Sequence, residues 1–163
     1  MQTDPIVLEI ELSVTARAAW DAWNNPKVLR LWLAKDARVG AAIGESFELF
    51  WDADPRVDST IGCKITACRD QRLLAFEWKG PTRFAEIMNV EPLPTWVRVE
   101  LLAQSTDQTV IRLEHGGWQS GPDWEAARIW HESVWRSSLG ELRSYLVSCT
   151  TVDSRRVSKA PDT

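Results

Sequence analysis

The sequence has no excess of basic residues. Lys and Arg number 19 against 23 Asp and Glu, a formal net charge of −4. That argues against a nucleic-acid partner, which calls for a basic patch. No apolar run approaches membrane-spanning length. The opening MQTDPIVLEIEL has no basic segment of the kind a secretory leader carries, so none is expected, and a cytoplasmic location is the default expectation. Cysteine is scarce: Cys63, Cys68 and Cys149 are odd in number and show no CxxC spacing, against a disulfide framework or a zinc site. On one strand Cys63 and Cys68 would face opposite sides, and three reduced thiols are expected. The two histidines, His115 and His131, lack a third ligand, so no metal is expected. A G-x-S-x-G elbow, a phosphate-binding P-loop and a Rossmann fingerprint are all missing. Ser133, Ser137 and Ser138 have no recognisable nucleophile context. No cofactor is implied, and no internal repeat or second domain is visible.

Against these absences stand ten tryptophans in 163 residues, 44% of which are hydrophobic. That suits one folded domain with a substantial core. Each tryptophan buries a large area and needs a partner for its ring N–H.

The stretch Gly121–Val147 reads as one long helix. Pro122 and Asp123 open it, and Glu125 adds negative charge in its first turn. Trp124, Ala127, Val134, Trp135, Leu139, Leu142, Tyr145 and Leu146 recur at helical spacing, with His131 and Ser138 inside the stripe. So long and aromatic a face calls for a sheet beneath it. Residues 148–163 are polar and aperiodic and are expected to form a flexible tail, leaving residues 1–147 as the domain.

Upstream, Ile6–Val14 alternates as a half-buried strand. Thr15 caps a short helix with Ala16, Ala19, Trp20 and Trp23 on one side. Asn25 caps a second, opened by Pro26, which buries Val28, Leu29 and Trp32. Val39–Gly44 reads as a turn. Strands are predicted over Ser46–Trp51, Ile61–Arg69, Leu73–Lys79, Trp96–Ala103 and Thr109–His115. Phe47, Leu49 and Trp51 share one face of the first, with Glu48 and Phe50 on the other. Glu48, Asp52, Asp54 and Asp58 read as solvated charge around a turn. Gly80–Thr95 has three prolines and no clean period, and reads either as a meandering connection or as a lid.

These pieces together resemble a family. VTARAAWDAWNNPKVLRLWL, GESF, GCKITACRDQRLLAFEW, VIRLEHGGW and the closing SGPDWEAARIWHESVWRSSLGELRSYL follow the order of the START-like, helix-grip (SRPBCC) superfamily. The branch is the one related to the activator of the heat-shock chaperone ATPase. The resemblance covers roughly residues 6–147. It implies an α+β fold: a seven-stranded antiparallel sheet wrapped around the C-terminal helix, with two short helices after the first strand. It also implies a deep apolar cavity between sheet and helix. His131 departs from the branch, where that position is usually apolar or aromatic.

The expected function is binding of a small apolar or aromatic molecule, as carrier or sensor. The lining is expected from Trp32, Phe47, Trp51, Ile65, Phe76, Trp78, Val99, Ile111, Leu113, His131, Trp135 and Leu139. Trp51, Trp78 and Trp135 read equally as plain core or as an aromatic-walled pocket. His131 is either a buried neutral imidazole or a polar handle on a ligand. His115 either caps the sheet end or faces the cavity mouth. One alternative is a cyclase or dehydratase using His131 or His115 as acid–base; another is a module that engages a chaperone. Monomer and homodimer are both open.

Overall fold

The computed structural model describes residues 2–158, with side-chain surroundings through Cys149. Strand β1 (Ile6–Leu12) is followed by helices α1 (Ala16–Asn24) and α2 (Pro26–Trp32). Both caps form as the sequence predicts. Thr15 accepts the Ala18 N–H at 3.1 Å and Asn25 accepts the Lys27 N–H at 3.0 Å, satisfying donors that a helix start leaves open. Pro26 occupies the start of α2, where its missing N–H is not needed.

Strands β2 (Asp36–Val39), β3 (Phe47–Phe50), β4 (Ile65–Arg69), β5 (Leu73–Glu77), β6 (Trp96–Ser105) and β7 (Gln108–Gly116) follow. Five of the strands make one antiparallel sheet in the order β1-β7-β6-β5-β4, while β2 and β3 form a separate hairpin. The expected seven-stranded sheet is thus divided five and two. The reason lies between β3 and β4, where side chains take over backbone donors. Thr60 Oγ1 accepts the Leu49 N–H at 2.8 Å, and Glu48 accepts the Gly62 N–H at 2.8 Å. The strand expected from Ile61 therefore begins only at Ile65. Phe47 stacks on Phe76 with centroids 3.8 Å apart, which docks the hairpin against the main sheet. All four residues of β3 are buried, so Glu48 is interior rather than solvated turn charge. β2 carries only one buried residue, Ala37, which is too little alternation to detect in sequence.

Gly80–Thr95 contains a 3-10 turn (Thr82–Phe84) and one turn of helix, α3 (Ala85–Met88), which bury Phe84 and Met88. The Asn89 amide closes this segment by pairing with both the N–H and the carbonyl of Gly80, at 2.8 and 2.9 Å.

Helix α4 (Pro122–Ser158) lies against the sheet. Ala127, His131, Trp135, Leu139, Leu142 and Leu146 form its buried row. Val134, expected in that row, is 38% exposed. The helix runs past Val147 to Ser158, where the sequence suggested a tail; residues 159–163 lie outside the described residues. The architecture is α+β and helix-grip.

Candidate functional site

The space between sheet and helix is filled mostly by rings. Trp23 and Trp32 meet edge to face at 4.8 Å, Trp78 lies 5.3 Å from Trp135, and His115 and His131 meet at 5.2 Å and 85°. The deep cavity expected from the family resemblance is reduced to a cleft of about 290 Å³ beside the stretch of α4 that carries Trp130, Val134 and Ser138. Trp51, Trp78, Trp130 and Trp135 wall it, with Leu33 and Val134, and Asp58 and Lys79 are among its few polar groups. Trp51 and Val134 are each 38% exposed, so the cleft communicates with solvent.

Ring polarity is settled inside this cluster. Trp78 Nε1 donates to His131 Nε2 at 3.2 Å, and Trp135 Nε1 donates to His115 Nδ1 at 3.0 Å. An indole N–H can only donate, so each accepting nitrogen must carry a lone pair. His131 therefore bears its proton on Nδ1, which donates to the Ala127 carbonyl at 2.7 Å. His115 bears its proton on Nε2, a buried donor without a partner among the described residues. Both imidazoles are neutral. Burial pushes His131 down to about 4, partly offset by its bond to Ala127. Burial, then the neighbouring His131, pushes His115 well below the ordinary histidine value. Trp51 Nε1 donates to the Leu33 carbonyl and Trp32 Nε1 to that of Ala22, both at 2.8 Å.

Of the residues expected to line a cavity, Trp51, Trp78, His131 and Trp135 meet at the cleft. Trp32, Phe47, Ile65, Phe76, Val99, Ile111, Leu113 and Leu139 instead belong to the packed core. His115 is fully buried behind Trp78 and Trp135, away from the cleft wall. Sequence reasoning missed Leu33, Asp58, Ser59, Lys79, Pro81, Trp130, Val134 and Ser138 as lining. A signal existed for three of them. Trp130, Val134 and Ser138 recur every fourth position, a row beside the buried one. Asp58, Ser59, Lys79 and Pro81 arrive from loops and carried no local signal. Among the described residues no cluster of His, Cys, Asp and Glu is arranged to hold a metal ion, and no helix is long and apolar enough to cross a membrane.

Comparison with known proteins follows the same lines. No curated protein matches the chain by sequence. Among solved structures, protein MLL2253 from Mesorhizobium loti superposes with a TM-score of 0.71 at 22% identity, covering 90% of this chain and 98% of that one. PFC0360w of Plasmodium falciparum, described as an HSP90 activator, gives 0.68 at 16% identity over 88% and 96%. The Aha1 dimer from Colwellia psychrerythraea gives 0.66 at 17% over 88% and 96%. At such identities these likenesses establish the fold alone. The family model described as activator of Hsp90 ATPase homolog 1-like protein matches residues 13–147, and the chain belongs to that family.

Proposed function

We propose that the protein binds a small, mainly apolar, ring-sized molecule in the cleft beside α4, as a carrier or sensor. The observation that carries this reading is the wall of four indoles around a space that the core leaves unfilled. Its volume, about 290 Å³, sits near the lower end of small-molecule sites, which favours a compact ligand. Acid–base catalysis finds less support. Both ring nitrogens of His131 are engaged within the protein, and its proton affinity is too low for a base near neutral pH.

The test is a titration with neutral ring compounds, followed by tryptophan fluorescence and thermal shift. Binding is expected in the wild type and lost in Ser138→Trp, which fills the cleft from α4. A broad panel that neither quenches nor stabilises, or equal binding to the filled variant, refutes the reading.

A second reading is favoured by family membership: engagement of a chaperone ATPase. Stimulation of the ATPase of the cell's own Hsp90-type chaperone measures it directly, and the absence of both stimulation and complex formation rejects it.

A further inference from the structure

Four buried side-chain atoms have no hydrogen-bond partner among the described residues: Trp23 Nε1, Thr95 Oγ1, Arg112 Nε and His115 Nε2. Two of them belong to neighbours. His115 of β7 pairs with Val97 of β6, and Thr95 stands two positions before Val97, just outside β6. Gly117, two residues beyond His115, packs so closely on this stretch that a Cβ there would lie 2.9 Å from Thr95 Cα. On the other side the Trp78 N–H donates to the Thr95 carbonyl at 3.3 Å, while the Trp78 ring lies 5.5 Å from that of His115. Thr95 thus sits on the strand between those that lead to Trp78 and His115, whose rings meet across it. His115 Nδ1 is occupied by the Trp135 N–H at 3.0 Å, so Nε2 carries the proton and points away from Trp135. Trp118 folds back over the imidazole, with ring centroids 4.5 Å apart and its Nε1 on the His115 carbonyl, and both rings are fully buried. Trp23 is on α1 and Arg112 on the opposite face of β7, so neither shares this place.

Native interiors leave few polar atoms unpaired, and a lone donor beside a lone hydroxyl marks a place for a molecule that bonds to both. The occupant must accept from an imidazole N–H, donate to a hydroxyl and fit within a packed core. Water is the smallest molecule that does all three, and two polar partners meet its lower requirement. We propose that an internal water binds between His115 Nε2 and Thr95 Oγ1 and, through the tautomer it holds on His115, positions Trp135, one wall of the cleft. The water accepts from Nε2–H and donates to Thr95. Nδ1 is thereby kept as the acceptor that fixes the Trp135 indole. Thr95 is then a positioning residue, acting on the cleft only through His115. This water is needed whatever the cleft binds.

The experiment is a nitrogen–proton NMR spectrum of the isotope-labelled full chain at neutral pH, with magnetisation transfer from water. The chain has two histidines of opposite tautomer, so their patterns tell them apart. His115 is expected as the Nε2–H form, with that proton in contact with a long-lived water. Thr95→Val keeps the shape and removes the hydroxyl. It is expected to lose the water contact, to speed exchange of the Trp135 indole proton, and to lower the folding constant about tenfold in urea unfolding. Thr95→Ser keeps the hydroxyl and is expected to retain both the contact and the slow indole proton. A hydroxyl without a partner is better replaced by a methyl, so a Thr95→Val as stable as wild type overturns the site. A His115 Nε2–H without a water contact overturns it too, and the wild-type spectrum decides this even if Thr95→Val does not fold. A contact that survives in Thr95→Val, or is lost in Thr95→Ser, overturns Thr95 as the partner. Unchanged indole exchange in Thr95→Val overturns the effect on the cleft wall.

Discussion

The paired bonds of the buried histidines make stability depend on pH in a calculable way. His131 Nε2 accepts from Trp78, so protonating that nitrogen sets two donors against each other in a site 1% exposed. Burial lowers its proton affinity from 6.5 to about 4 on folding. Between those values the unfolded chain binds a proton that the native state does not. Stability therefore rises with pH through this window, is complete above about 6.5, and is lost as the pH falls toward 4. Lowering the pH from 7.5 to 5.0 should remove about 2 kcal/mol through His131 alone. His115 adds a loss of the same sign, because burial and the ring of His131 at 5.2 Å both disfavour its charged form. Stopping at pH 5.0 keeps most ordinary carboxylates ionised, so the histidines dominate the change. The assay is urea unfolding at half-unit intervals. In His131→Phe the absolute stability should fall, since Trp78 loses its acceptor, but the pH slope should flatten. A stability that is constant from pH 7.5 to 5.0, or a slope untouched in His131→Phe, refutes the assigned protonation states.

Further tests use the same cluster and its surroundings. Trp135→Phe should cost about 1–3 kcal/mol more than Trp23→Phe in chemical unfolding, because the first strips His115 Nδ1 of its donor whereas the Trp23 N–H has no partner to lose among the described residues. Equal losses would mean that the Trp135–His115 bond contributes nothing. Gly117→Ala should destabilise by more than about 2 kcal/mol, since a Cβ would overlap the Pro94 carbonyl oxygen and φ is +89°; an unchanged melting temperature would contradict that packing. Thr15→Ala should remove about 1 kcal/mol by opening the start of α1, and restoring Ser should recover most of it.

The identity of most elements was legible in the chain itself. Thr15 and Asn25–Pro26 announce their helices because capping is settled within three residues. The buried row of α4 follows from helical spacing, and the alternation of Val97, Val99 and Leu101 follows from the pleat. Periodicity reports which face is covered, but not what covers it. It could not separate Trp78, at the cleft, from Phe76, stacked on Phe47, because the two keep the same alternation, one on β5 and the other just past its end. Trp78 and His131 are 53 positions apart, and only the closure of the sheet over α4 makes one the donor and the other the acceptor. The same closure decides that the indoles occupy most of the interior and that Asp58, a turn residue by every local criterion, stands at the rim of what is left. Local sequence selects conformations over a few residues; the position of an empty volume depends on side chains brought together from distant parts of the chain.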